Sequence, residues 1–380
     1  MKKLIYISQM KLNDKLSRDW HLDNFYNRGY KIEFWDVSNI IHRNNDANKN
    51  YQNIKIININ NIRDLKENIN KLDLKKVFFI ITIPCFYQSL SIYKTISKHN
   101  LNTAFFYWGE SPNLVYKKNI ATKILMYFKI NKNMYESIKH IYQRLIVKLH
   151  RRLGLIKKYT ICFTAGELCK TLAYGDKLIP INLCDYDQNL KNKKIEFKEK
   201  YAVFLDINLP YNSDVELQGL VKIDPRAYFK SLNSFFDIFE RKYDLKVIIA
   251  AHPKSKYNNN TFNQRKIYYL KTSELIKSCS HVLIHYSTAL SYAVLNYKPV
   301  TFFTTHQMKN TYEYHMGKLL SEYLNQPFIS LSDINDSNLE YRKDVDVFLY
   351  DKYKYNYIVS KESEGKPSFP LIEKSIINYS

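Results

Sequence analysis

Two apolar runs stop abruptly at residues that can do chemistry. Val247-Ile248-Ile249-Ala250-Ala251 gives way to His252-Pro253-Lys254, and His281-Val282-Leu283-Ile284 gives way to His285-Tyr286-Ser287-Thr288. An imidazole and an ammonium supply positive hydrogen-bond donors. Two hydroxyls opening an apolar helix supply further polar groups, next to backbone N–H groups that no helical carbonyl reaches. These residue types suit a phosphate-bearing ligand. Ser and Thr are also favoured helix N-caps, and capping is compatible with holding a phosphate. His281 and His285, which bracket the second run, read as structural.

A carboxylate stands at two further exits. Phe204-Leu205-Asp206-Ile207-Asn208 ends one apolar run, with Asp214 on the loop beyond it, and Glu110 follows the run Thr103–Trp108. A reaction at a hydroxyl needs one carboxylate to take its proton, and Glu110, Asp206 and Asp214 are the best placed. Each could instead cap the helix that follows. Asp185-Tyr186-Asp187 and Asp344-Val345-Asp346 have the short DxD spacing of some metal sites. The first pair falls at a domain boundary and reads as a hinge or cleft-edge element, so no metal ligand is assigned.

Other chemistries are poorly served. With eight glycines the chain has no GxGxxG and no GxxxxGK[ST], and neither HExxH nor GxSxG occurs. The five cysteines, Cys85, Cys162, Cys169, Cys184 and Cys279, form no CxxC pair, so neither a disulfide framework nor a zinc site is indicated and a reducing cytoplasm fits. The apolar start Leu4-Ile5-Tyr6-Ile7 is broken by Ser8-Gln9 and reads as a first strand, not a leader. No run approaches the ~20 apolar residues that span a bilayer.

The elements that must carry these exits alternate. Strands are expected at Leu4–Ser8, Ile32–Val37, Ile54–Ile57, Val77–Ile83, Thr103–Trp108, Tyr159–Thr164 and Leu178–Leu183, and again at Tyr201–Asp206, Lys246–Ala251, His281–His285 and Val300–Phe303. Helical stretches separate most of them, which implies βαβ units and parallel sheets. The 380 residues, 45% hydrophobic and 25% charged, suit two domains of ordinary size. We expect residues 1–190 to form an N-terminal α/β domain and 191–350 a C-terminal α/β domain. Residues 351–380 read as a helical tail.

The net charge of +22 is uneven. Residues 117–158 hold twelve Lys or Arg against one acid, Glu136, within a basic helical insertion expected at 113–158. Apolar residues interleave the cations. The readings are a helical hairpin with a solvated basic face, a surface helix on anionic lipid, or a nucleic-acid surface.

On these residues the chain resembles a known family. The His252-Pro253 pair followed by Ser287-Thr288 is similar to the HP and Ser/Thr motifs of bacterial sialyltransferases, polysialyltransferases and Kdo transferases. That resemblance implies an α/β GT-B fold, with two Rossmann-like domains facing a cleft and C-terminal helices. It implies a glycosyltransferase of capsule, O-antigen or lipooligosaccharide synthesis, using a CMP-activated nonulosonate or Kdo without metal or other cofactor. His252, Pro253, Lys254, Tyr286, Ser287 and Thr288 would bind the donor, and Glu110, Asp206 and His252 would act in catalysis, with Asp214 a further candidate. The implied partners are the nucleotide-sugar donor, a glycan or lipid-linked acceptor and the anionic cytoplasmic face of the inner membrane, with no nucleic acid. The chain lacks the Asp/Glu-Asp/Glu-Gly motif of the sialyltransferases, which leaves the base open. Alternatives are a UDP- or TDP-sugar or polyol-phosphate transferase on the same scaffold, and a non-catalytic nucleotide-sugar or nucleic-acid-binding protein.

Overall fold

The structure, a computed structural model, describes residues 3–41, 48–49, 51–112, 134–211, 223–309, 311–334, 339, 341–377 and 379. Asp214 and residues 113–133 of the expected basic insertion lie outside these. The described residues form two compact units: those of Met1–Glu110, Val115–Asn182 and Glu362–Ser380, and those of Ser111–Leu114 and Leu183–Lys361.

The first unit is built on seven parallel strands, β1 (Lys3–Ser8), β2 (Lys31–Asp36), β3 (Lys55–Asn58), β4 (Val77–Ile81), β5 (Thr103–Tyr107), β6 (Tyr159–Ala165) and β7 (Gly175–Ile181), in the order β3-β2-β1-β4-β5-β6-β7. Strands such as β4, buried along their whole length, read as continuous apolar runs because helices cover both faces. One core layer gathers Tyr6, Phe34, Phe78, Phe106 and Phe163, and the other Ile5, Trp35, Phe79, Ile92 and Tyr159.

The C-terminal stretch expected as a tail forms the helix Ser368–Ile377, whose Phe369, Ile372 and Ile376 are buried in the first of those layers. Apolar residues at three- and four-residue spacing give it a core-facing stripe. Asn182 ties it down: its backbone N–H donates to Ser368 Oγ at 3.1 Å and its side-chain amide to the Lys366 carbonyl at 2.7 Å.

The second unit has six parallel strands, β8 (Tyr201–Leu205), β9 (Lys246–Ala251), β10 (Ile267–Tyr269), β11 (His281–Ile284), β12 (Val300–Thr304) and β13 (Phe328–Ser330), in the order β10-β9-β8-β11-β12-β13. The chain leaves β8 outward through β9 and β10, returns beside β8 as β11, and leaves on the other side through β12 and β13. The strand order therefore reverses between β8 and β11, where Leu205 pairs with Ile284. The helix Pro225–Tyr243 buries Tyr228, Leu232, Phe235, Phe236 and Phe239 on one face of the sheet. It starts with Asp224 as N-cap and proline at its first turn.

Candidate nucleotide site at the carboxyl edge of the second unit

In open α/β sheets, ligands bind outside the carboxyl ends of the strands where the order reverses. In the second unit that edge is made by Asp206 after β8, His252 after β9 and His285-Tyr286-Ser287-Thr288 after β11.

Pro253 ends β9, because it cannot donate to a ladder and its fixed φ suits the second position of a tight turn. The turn closes on Ser255, whose N–H and hydroxyl both donate to the His252 carbonyl, at 2.9 and 2.7 Å. Inside it the Lys254 N–H donates to His252 Nδ1 at 3.2 Å. A nitrogen that accepts carries no proton, so neutral His252 has its hydrogen on Nε2. Burial holds His252 below its usual pKa, with the Lys254 charge acting the same way and Asp206 opposing. The imidazole is therefore a neutral donor through Nε2–H at pH 7. The Lys254 side chain is exposed.

Asp206 is buried, and among the described residues its carboxylate accepts from three donors. Oδ2 accepts the His252 N–H at 2.9 Å and the Tyr257 hydroxyl at 3.0 Å, and Oδ1 accepts the Asn208 N–H at 2.9 Å. Asn208 sits in the left-handed region at φ 53°, which asparagine tolerates. Burial raises the Asp206 pKa, and the three donors pull the other way. The carboxylate lies between segments from two strands and fixes the start of the His252 turn.

After β11, Ser287 Oγ accepts the Ala289 N–H at 3.2 Å, and the Leu290 N–H donates to the Ser287 carbonyl at 3.1 Å. The helix proper spans Leu290–Leu295, two residues later than the expected opening at Thr288, because this first turn is bonded three residues back. The N–H groups of Ser287 and Thr288 have no acceptor among the described residues. Ser287 is half-buried and Thr288 exposed. Tyr286 is half-buried and meets the edge of the Tyr312 ring, with centroids 5.5 Å apart.

His285 and His281 belong to the core. His285 Nε2 bonds the Tyr228 hydroxyl at 2.9 Å and its Nδ1 the Phe303 carbonyl at 2.8 Å, while His281 Nε2 bonds Thr301 Oγ1 at 2.8 Å. Asp185 takes the Ser291 hydroxyl at 2.5 Å and the Tyr292 hydroxyl at 3.3 Å, which ties the helix Cys184–Lys191 to Leu290–Leu295. Asp346 caps the helix Val347–Tyr353 through the Leu349 N–H. Among the described residues no three His, Cys, Asp or Glu side chains stand together as metal ligands would.

Two residues of this edge carry no signal in the sequence. Tyr257 meets Asp206 only because β8 and β9 are neighbours. Glu313, in the first turn of the helix Tyr312–Leu324, is buried with Oε2 unpaired among the described residues. Its helix packs against the exit of β11: a Cβ on Gly317, one turn further on, would lie 2.4 Å from the His285 carbonyl oxygen.

Glu110 belongs to the first unit. It follows β5 after Gly109, whose φ of 77° turns the chain away from the sheet. It is half-buried, its carboxylate has no hydrogen bond among the described residues, and burial raises its pKa.

Comparison with solved structures places the architecture. The chain superposes on CalG4, the calicheamicin glycosyltransferase, with a TM-score of 0.54 at 8% identity, covering 100% of this chain and 98% of that one. The glycosyltransferase SnogD from Streptomyces nogalater matches with a TM-score of 0.50 at 9% identity, covering 100% and 99%. The fold is GT-B. No protein-family model matches the sequence, and no curated protein does. At these identities the likeness concerns the GT-B fold alone, and any activity has to be argued from the residues.

Proposed function

We propose that this GT-B chain is a glycosyltransferase whose nucleotide-sugar donor binds at the carboxyl edge of the second unit. The observation that carries the proposal is the His252–Ser255 turn. There the Lys254 N–H fixes one imidazole tautomer and the Asp206 carboxylate holds the turn's first N–H, one strand from the reversal of order between β8 and β11. A preset neutral Nε2–H, the hydroxyl and N–H groups of Ser287 and Thr288 and the Lys254 ammonium together suit a phosphate group.

In the proposed reaction the bond from the anomeric carbon to the donor phosphate oxygen breaks, and the acceptor hydroxyl oxygen bonds that carbon. The phosphate leaves with the electron pair. His252, Ser287, Thr288 and Lys254 stabilise its charge, which lets the transfer run without a metal. The hydroxyl proton passes to a carboxylate, for which Glu110, half-buried with a raised pKa, is the first candidate and Asp214 the next. Asp206 acts as a positioning residue, because three donors already engage it. Pro253 shapes the turn, Tyr286 flanks the site, and Glu313 is suited to accept hydrogen bonds from donor hydroxyls.

The preferred donor is a CMP-activated nonulosonate or Kdo, on the strength of the His252-Pro253 and Ser287-Thr288 resemblance. The acceptor would be a glycan or lipid-linked glycan of a bacterial surface polysaccharide, made at the cytoplasmic face of the inner membrane. UDP- or TDP-sugars are the alternative within the same site. Donor turnover with CMP-, UDP-, GDP- and TDP-sugars tests this reading. One of them should be consumed, and His252→Ala should lower that rate by about 10²–10⁴-fold in a folded protein. Normal turnover by that variant would reduce His252 to a turn residue.

A further inference from the structure

The basic segment of the first unit carries an apolar feature that its charge alone does not explain. The helix Met134–Arg152 is fixed to the unit by one face: Val147 is buried, Ile146 packs on the core, and the Arg151 guanidinium lies 4.5 Å from the centre of the Tyr174 ring. On another face Ile138, Tyr142, Leu145 and Leu149 are each more than half exposed. Their spacing of four, three and four residues aligns them in one narrow row along the helix.

The helix ends in a Schellman turn at Gly154, where the Leu155 N–H reaches the His150 carbonyl at 3.0 Å and the Gly154 N–H the Arg151 carbonyl at 3.2 Å. Leu153 and Leu155 are also exposed and add apolar surface at this end. Arg144, Lys148 and Arg152, four residues apart, form the row next to the apolar one, and Lys157 and Lys158 follow. Residues 137–160 contain no Asp or Glu.

A solvated basic face has no need of an aligned row of large apolar side chains. A nucleic-acid surface would pair its cations with stacking aromatics, and this row has one, Tyr142. A row of Leu and Ile flanked by a row of Arg and Lys matches the boundary between acyl chains and acidic headgroups.

We propose that the exposed face of Met134–Arg152 docks on an anionic bilayer. Ile138, Tyr142, Leu145, Leu149 and Leu153 enter the headgroup boundary, and Arg144, Lys148 and Arg152 meet the lipid phosphates. The proposal goes beyond the transfer reading and does not depend on it.

The test is flotation of the full chain with vesicles of phosphatidylcholine alone or with phosphatidylglycerol added. Binding is expected only with phosphatidylglycerol. The substitutions Arg144→Gln, Lys148→Gln and Arg152→Gln together should weaken it roughly a hundredfold at low salt. Leu145→Ser with Leu149→Ser should weaken it roughly tenfold at every salt concentration. All these side chains lie on exposed surface, so the variants should melt as the parent does, and melting curves check this. Unchanged binding by the folded Leu145→Ser, Leu149→Ser variant would overturn the proposal in favour of a merely basic face. So would the absence of vesicle binding, or a dimer of the full chain that this variant dissociates. None of these results bears on donor turnover.

Discussion

The backbone N–H of His252 donates to Asp206 Oδ2 at 2.9 Å, so a carboxylate leaving β8 sets where the imidazole leaving β9 begins its turn. Removing the carboxylate would leave the His252 and Asn208 N–H groups unpaired in a buried place, and the Tyr257 hydroxyl with only Asn208 Oδ1, at 3.2 Å. Asp206→Ala should cost about 2–4 kcal/mol of stability and weaken nucleotide binding at least tenfold. Tyr257→Phe removes one of the three bonds and should cost about 1 kcal/mol with His252 still in place. Denaturant midpoints and calorimetric nucleotide titrations of both variants check this. Equal effects from the two would mean that the His252 N–H bond does not organise the turn.

Glu110 should behave as a base and not as a binding group. Glu110→Gln should lower turnover by about 10²-fold or more and leave nucleotide affinity unchanged. Because burial raises its pKa, the acid limb of the rate profile should lie above the ordinary glutamate value and vanish in the variant. A folded Glu110→Gln enzyme at full rate would move the base elsewhere, with Asp214 the next residue to replace.

Gly317 should resist alanine. Helix propensity favours alanine by about 1 kcal/mol, but its Cβ would stand 2.4 Å from the His285 carbonyl oxygen, a backbone atom that cannot swing away. The helix or the β11 exit must shift, and a net loss of about 1–3 kcal/mol is expected from equilibrium unfolding. A stabilised Gly317→Ala would show that this helix does not press on the exit.

Much of this was legible in the sequence. Runs buried on both faces, such as Tyr201–Leu205 and Lys246–Ala251, keep their apolar character along the strand, and the polar residues that stop them mark the sheet edge. The edge strands Ile267–Tyr269 and Phe328–Ser330 were not legible, because three residues are too few to show a period. Asp206 was legible as one of three candidate carboxylates, because sequence shows the end of its strand, but the three donors that converge on it come from the fold. Tyr257 and Glu313 reach the edge only through strand order and helix packing.

The buried histidines of the second unit should make it labile to acid. Burial pushes His281 to about 3 and His285 to about 4, against an ordinary value near 6.5. As pH falls below 6.5 the unfolded chain takes up protons that the folded chain refuses, so stability is present at neutral pH and lost toward pH 4. Each histidine contributes up to about 1.4 kcal/mol per pH unit in that window. Urea midpoints between pH 7 and pH 4.5 should fall steadily, and less steeply in a folded His281→Gln variant. A flat profile would mean that the two rings are protonated in the folded state.

Nucleotide binding tests the central claim most directly. Calorimetric titration of the purified chain with CMP, UDP, GDP and TDP, repeated on His252→Ala and on Ser287→Ala with Thr288→Ala, reports on the edge without requiring the acceptor. One nucleotide, CMP first, should bind the parent and raise its melting temperature, by an amount equivalent to about 2.7 kcal/mol at a hundred times its dissociation constant. Both variants should bind it at least tenfold more weakly while remaining folded, the Ser287 variant melting somewhat below the parent because it loses the bond from the Ala289 N–H. Equal affinity in parent and variants, or no binding by any nucleotide, would contradict a donor site at His252 and Ser287.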